Sequence, residues 1–294
     1  MTAPAKLNIC LEVVKKYPDG FHELRSVMVK SQNLYDTVVV EFSTKGGPAL
    51  GWDEGNESIS IECDNPDVPT DEQNICWKIA QKYFAKINKK VGIKMIITKR
   101  IPMLAGLGGG SSDGASVLLA LNEYFENVLD KDALVEIAAE VGKDIPFFLQ
   151  DAFAAYVSGA GEEVESIFNF PNLQILVVNP NEEIGTPWAY GQLDQRQWFM
   201  ESDKRKNLSL SMKENAHTLD DIVQYVYNDF AFVAQEQCYV IGEIKNAMKA
   251  FGARTASITG KGPTVFGIFE STEELEKTKV ILQKQYPEFF ISEF

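Results

Sequence analysis

The segment Pro102-Met103-Leu104-Ala105-Gly106-Leu107-Gly108-Gly109-Gly110-Ser111-Ser112-Asp113 constrains this chain more than any other stretch. Four glycines fall within five positions, two hydroxyls and an acid follow, and an apolar-periodic stretch comes next. Glycine permits positive φ and lets backbone approach a ligand closely. Ser and Asp favour helix starts. A helix N-terminus carries unpaired N–H groups and a partial positive charge, so it attracts anions. The helix behind is predicted from Ala115, Leu118, Leu119 and Asn122 on one stripe, with Val117, Leu121, Tyr124 and Phe125 beside it. The segment therefore reads as a phosphate cradle that opens a helix. It is not a Walker A loop, because no G-K-[ST] closes it, and it is not a dinucleotide fingerprint. A glycine-rich turn without a ligand is the alternative that the residues by themselves leave open.

A length of 294 residues, 45% of them hydrophobic and 24% charged, allows one large domain or two ordinary ones of a soluble globular protein. The net charge of -14 argues against a nucleic-acid partner, and any site for an anion must supply its own local positive potential. Cys10, Cys63, Cys76 and Cys238 form no C-x-x-C pair and suggest neither zinc nor a disulfide framework. Buried free thiols in a reducing compartment are expected. The first residues lack the apolar core of a signal peptide, and no window approaches a membrane span. A cytoplasmic protein without a membrane partner is the expectation. Oligomeric state is not legible.

Strands are predicted over 6–14 and 36–42, separated by the turn Pro18-Asp19-Gly20, in which Pro presets φ and Gly supplies positive φ. A helix over 73–87, a strand over 92–98, the glycine loop with its helix, a helix over 131–142 and a strand over 152–157 follow. The second half begins with the strand LQILVV near Leu173. Then come a polar exposed loop over 201–216, helices over 217–231 and 233–250, strands over 255–258 and 264–269, and a final helix over 271–285. Irregular alternation of strands and helices argues for α+β with two subdomains, 1–160 and 161–294, and a ligand site in the cleft between them.

Three more segments accompany the glycine loop: Pro4-Ala5-Lys6-Leu7-Asn8, Gly142-Lys143-Asp144-Ile145-Pro146-Phe147-Phe148, and Thr259-Gly260-Lys261-Gly262-Pro263-Thr264-Val265-Phe266. In this order they resemble the superfamily named for galactokinase, homoserine kinase, mevalonate kinase and phosphomevalonate kinase (GHMP). Pro18-Asp19-Gly20-Phe21-His22-Glu23-Leu24 narrows the resemblance to the members whose acceptor is a cytidine diphosphate-linked methylerythritol. The matching segments run from residue 3 to about 270.

The resemblance implies a GHMP-kinase-like fold and ATP-dependent phosphorylation of the acceptor's 2-hydroxyl in the non-mevalonate route to isoprenoids. It implies ATP and Mg2+ as cofactors. Pro102, Gly106, Leu107, Gly108, Gly109, Gly110, Ser111 and Ser112 would hold the ATP phosphates, with Mg2+ bridging phosphate oxygens rather than sitting in a protein cage. Asn74 and Lys99 match positions that contact ATP; a helix cap and a surface charge are their ordinary alternatives. Asp144 would face the acceptor hydroxyl, as base or orienting group, with a helix cap as its alternative. Lys6 would hold Asp144 ionised or stabilise the transferring phosphoryl. Phe21 and His22 match the cytosine-binding positions, and Tyr190, following Gly185-Thr186-Pro187, matches an aromatic on the other ring face. Asn8 matches a contact to the methylerythritol part, and Thr186, Gly260 and Lys261 fall on the substrate side. Two residues depart from the pattern. Phe21 stands where Tyr is usual, and Lys261 replaces a small hydroxyl residue. Another kinase of the superfamily with a different acceptor, and a non-catalytic nucleotide-binding homologue, are the competing readings.

Overall fold

Two long strands open the chain in the computed structural model, which describes residues 1–43, 58–89, 91–198 and 207–294. β1 (Thr2–Lys16) follows from the run KLNICLEVV: every residue from Ala5 to Val13 is buried, including Lys6, Asn8 and Glu12. The predicted turn forms. Gly20 takes φ +95 and its N–H donates to the Tyr17 carbonyl at 3.1 Å. β2 (His22–Phe42) is far longer than the 36–42 that β-propensity suggested, because its first half alternates polar and apolar residues weakly.

The described chain divides into two compact units. One comprises Met1–Pro4, Tyr35–Ile101 and Gly109–Leu149, the other Ala5–Leu34, Pro102–Gly108 and Gln150–Phe294. They are not the halves 1–160 and 161–294. β1 and β2 each give residues to both units, so a single cut in the sequence does not separate them.

In the first unit, β3 (Ile59–Cys63), β4 (Ile93–Thr98) and the end of β2 form a sheet in that order. β3 runs parallel to β4, with Ile61 opposite Met95, and β2 runs antiparallel to it, with Val39 opposite Ile96. Ile93, Met95 and Ile97 alternate inward along β4. α1 (Ile75–Ile87) packs on α2 (Gly109–Tyr124). The contact is close: a Cβ on Gly114 would lie 2.7 Å from the Ile75 side chain. The small residues Gly114, Ala115 and Ser116 are buried, so the start of α2 sinks into the unit. α3 (Lys131–Val141) and the single turn α4 (Ile145–Phe148) complete it.

In the second unit, β5 (Ala154–Ser158) pairs with β2 and with β6 (Glu163–Ile167), and β1 pairs in parallel with the short β8 (Tyr227–Asn228). A second sheet, wholly antiparallel, has the order β11 (Phe290–Glu293), β7 (Gln174–Asn179), β10 (Val265–Phe269), β9 (Thr255–Ile258). α9 (Val240–Ala250) packs on β9 and β10, and α10 (Thr272–Gln285) on β7. Leu176, Val178, Ile244, Met248, Ile258, Val265 and Phe269 belong to this unit's apolar core.

Three expectations change here. Residues 201–206 of the polar segment lie outside the described residues, but 208–215 form helix α6 rather than a loop. Its anchor is the buried Glu12 carboxylate, which accepts from the N–H groups of Leu208 and Ser209 at 3.1 and 2.9 Å. The two helices expected over 217–250 are three, α7 (Leu219–Tyr225), α8 (Ala231–Gln237) and α9, interrupted by β8. Asp229 ends the interruption by accepting from Val13 N–H of β1 at 2.7 Å, a partner that local sequence does not reveal. The four thiols are unpaired, but Cys63 is partly exposed rather than buried. No helix among the described residues is long and apolar enough to cross a membrane.

Asp36, fully buried in β2, holds the first unit together at one point. It accepts from Lys99 Nζ, Arg100 N–H and Ile101 N–H, so one carboxylate joins β2 to the exit from β4. Removing one partner of a buried ion pair leaves the other uncompensated. Asp36→Ala is expected to destabilise the protein by about 3–5 kcal/mol. Urea denaturation measures this, and a loss below about 1 kcal/mol would show that the carboxylate is dispensable.

Candidate active site

The glycine loop has the backbone its sequence requires. Gly106 and Gly108 take φ +76 and +71, in the left-handed region. Gly106 also lies against another loop of its own unit, where an added Cβ would stand 3.0 Å from the Thr259 carbonyl oxygen. Lys6 N–H donates to the Leu107 carbonyl at 2.8 Å, and the Thr264 hydroxyl donates to the Ala105 carbonyl at 2.7 Å. Pro102 opens this segment. Gly109, Gly110, Ser111 and Ser112 form the first turn of α2, whose leading N–H groups have no intrahelical acceptor. The Ser112 hydroxyl is buried with no hydrogen-bond partner.

Beneath that turn lies a buried charge cluster. Lys99 Nζ bonds to Asp36 and, at 2.8 Å, to Asp113 Oδ2, with side chains 7%, 0% and 5% exposed. Lys99 is thus not a surface charge. Burial opposes its protonation, yet the two carboxylates outweigh that and raise its pKa. Burial, reinforced by Asp36 and opposed by Lys99, raises the Asp113 carboxyl to about 7. Asp36 was not singled out in the sequence. Its position in a Val-rich strand was the available signal, since a charge at an inward position needs a partner.

Asn74 caps α1, accepting from Cys76 N–H at 2.8 Å and donating to the Pro69 carbonyl at 2.6 Å. Asp144 occupies the N-cap position of α4, but its side chain makes no capping hydrogen bond. The ordinary explanation of this residue, a helix cap, therefore does not account for it.

The second unit gathers the other expected residues. Lys6 Nζ donates to Asn8 Oδ1 at 2.8 Å. The same oxygen accepts from Gly260 N–H at 3.1 Å, while Asn8 Nδ2 donates to Ser26 Oγ at 2.8 Å. Asn8 thus ties β1 to the Thr259–Thr264 loop across 252 residues of chain. His22 Nε2 lies 2.7 Å from Asp194 Oδ1, and its ring stacks on Tyr190 with centroids 4.6 Å apart. Burial works against the Asp194 anion, but hydrogen bonds from Lys16 and His22 prevail and lower its pKa. Tyr190 and Asp194 come from α5 (Thr186–Gln195), whose cap is Gly185 and whose first residue is Thr186. Tyr190 stacks on His22 itself and also meets Phe230 edge-on. Phe21 is 54% exposed beside them in sequence. Lys261 Nζ donates to the Ile184 carbonyl.

The Asp113 value carries a consequence for stability. A carboxyl raised on folding contributes stability below its unfolded pKa, and that contribution is lost as pH rises through the folded value near 7. Asp113→Asn removes the titration. The variant is expected to gain roughly 2 kcal/mol on the unsubstituted protein between pH 5.5 and 8.5. Denaturation at the two pH values tests this, and a pH-independent difference would refute it.

Known proteins resemble this chain over most of its length. The model of the GHMP kinases N terminal domain matches residues 74–159, and that of the GHMP kinases C terminal matches residues 206–288. A 4-diphosphocytidyl-2-C-methyl-D-erythritol kinase of Syntrophotalea carbinolica is 35% identical over 267 residues, covering 91% of this chain and 88% of that protein. One of Geobacter metallireducens is 36% identical over 281 residues, covering 93% and 90%. The crystal structure of a 4-(cytidine 5'-diphospho)-2C-methyl-D-erythritol kinase matches with a TM-score of 0.75 at 25% identity, covering 100% of this chain and 98% of the other. A homoserine kinase from Cytophaga hutchinsonii shares the fold, with a TM-score of 0.73 at 18% identity over 100% and 92% of the two chains. This chain belongs to the GHMP kinases, small-molecule kinases of α+β fold, and within them to the 4-diphosphocytidyl-2-C-methyl-D-erythritol kinase family.

Proposed function

We propose that this protein transfers the γ-phosphoryl group of ATP to the 2-hydroxyl of 4-diphosphocytidyl-2-C-methyl-D-erythritol, in the cytoplasm, on the non-mevalonate route to isoprenoids. ATP as donor follows from membership of a kinase family. The observation that carries the reading is the head of α2. Its first N–H groups lack intrahelical acceptors, and the buried Ser112 hydroxyl has no partner. Such a turn suits phosphate oxygens. Gly106, Leu107, Gly108, Gly109, Gly110, Ser111 and Pro102 are assigned to the same ligand. Asn74 and Lys99 keep their assignment to ATP, although Asn74 already caps α1 and Lys99 is already held by two carboxylates.

In the transfer, the acceptor oxygen forms a bond to the γ-phosphorus, the bridging bond to ADP breaks, and the hydroxyl proton leaves. Asp144, free of a capping role, is assigned to orient that hydroxyl or take its proton. Lys6 is assigned to the charge of the transferring group. Asn8, Phe21, His22, Tyr190, Thr186, Gly260 and Lys261 are assigned to the acceptor. His22 and Tyr190 act as one stacked unit, so Phe21 supplies the exposed ring for cytosine.

The residues fit a magnesium ion that arrives with the nucleotide. Among the described residues, no cluster of three His, Cys, Asp or Glu side chains could hold a metal, whereas the unmatched Ser112 hydroxyl offers one oxygen ligand. When bound, the ion neutralises charge on the β- and γ-phosphate oxygens. Unpaired thiols suit a reducing cytoplasm, and the net charge of -14 disfavours nucleic acid.

An ADP-release assay offering the cytidyl acceptor, mevalonate and homoserine tests the reading. Turnover with the cytidyl acceptor alone is expected; turnover with another acceptor alone would overturn the substrate. Asp144→Ala is expected to lower kcat about 10³-fold while ATP affinity changes less than about twofold. Unchanged kcat would remove the assignment.

A further inference from the structure

Among the described residues, Lys261 is a cation with an incomplete set of hydrogen-bond acceptors. Its ammonium has three N–H groups. One donates to the Ile184 carbonyl, an uncharged acceptor. The side chain is half-buried, and it projects from a loop whose flanking glycines take φ +54 and +84. That loop abuts the glycine loop, with Thr259 O and Gly262 O 3.0 and 3.5 Å from the Cβ that Gly106 lacks. Asn8 Oδ1 accepts from Gly260 N–H of this loop and from the Lys6 ammonium, bringing a second cation to the same place.

We propose that Lys261 reads phosphate charge on the acceptor: its remaining N–H groups take non-bridging oxygens of a nucleoside diphosphate, which makes it a specificity determinant for acceptors that carry one. This rests on the functional reading above and adds a residue-level basis for its substrate class. Three features favour it. The Lys6 ammonium lies near enough to act on Lys261, so two cations stand close together in a chain of net charge -14. Burial depresses the Lys261 pKa against the opposing pull of the Glu183 carboxylate, and the Lys6 charge adds a smaller push in the same direction as burial. The bond to Ile184 also fixes the ammonium one residue ahead of Gly185, the cap of α5, whose Tyr190 and Asp194 hold His22. The same side chain therefore stands at the head of the helix that supports the proposed base-binding residues.

The experiment is calorimetric binding of CDP, cytidine and ATP, with magnesium present, to the full chain and to its Lys261→Met and Lys261→Arg variants. Met keeps the apolar stem of the side chain, and Arg keeps the charge. In Lys261→Met, CDP affinity is expected to fall about tenfold or more, with cytidine and ATP changed less than about twofold. Lys261→Arg is expected to retain CDP binding within about threefold. Equal losses of CDP and cytidine in Lys261→Met, or no loss of either, would overturn the proposal by making the residue a scaffold element. A loss confined to ATP would overturn the assignment to the acceptor. Failure of the unsubstituted protein to bind CDP would overturn the functional reading as well, and is seen without any variant.

Discussion

The carboxylate of Asp36 is the constraint on which the first unit turns. A fully buried anion is tolerated only with hydrogen bonds and an opposite charge. Asp36 has both, from two consecutive backbone N–H groups and from Lys99. These bonds fix the chain where it leaves β4. They also carry over to α2, because Lys99 bonds to Asp113 and because Gly109 would place a Cβ 3.2 Å from Asp36 Oδ2. The head of α2 is therefore set by packing against a charged centre, and a side chain in place of Gly109 would crowd that approach. Burial, which the single Lys99 charge does not offset with Asp36 also nearby, is why Asp113 resists ionisation.

The second unit solves the matching problem with amides and hydroxyls. Asn8 Oδ1 and Nδ2 link Lys6, Gly260 and Ser26, while Asn228 Nδ2 donates to the carbonyls of Ile258 and Gly260, each at 2.9 Å. Asn179 Nδ2 donates to Thr264 Oγ1 at 2.7 Å, and that hydroxyl passes its own proton to the Ala105 carbonyl. The Thr259–Thr264 loop is thus pinned at both ends, and the glycine loop is pinned to it.

Much of this was legible in the chain. The β1 run, the Pro18-Asp19-Gly20 turn, the helix capped by Asn74 and the glycine loop each follow from local residues whose preferred φ, capping or periodicity agrees with the fold. The order of the four motifs was enough to identify the family. Other parts were not legible, for reasons visible at particular residues. α6 reads as polar loop because its anchor, Glu12, lies 197 residues away from Ser209. β8 breaks a helical stretch because Asp229 is claimed by Val13. Lys99 reads as a surface charge because its partners lie 63 and 14 residues distant.

The sequence by itself determined the local conformations and the chemistry on offer: a left-handed loop that needs glycine, a helix start rich in donors, and a lysine and an aspartate within short motifs. The tertiary structure alone decided how these are used. It buried Lys99 between two acids, left Asp144 without a capping role, stacked Tyr190 on His22 and directed Lys261 to a carbonyl. The physical reason is that φ, capping and periodicity depend on neighbours in the chain. Desolvation and charge pairing depend on neighbours in space, and strands paired across hundreds of residues choose those.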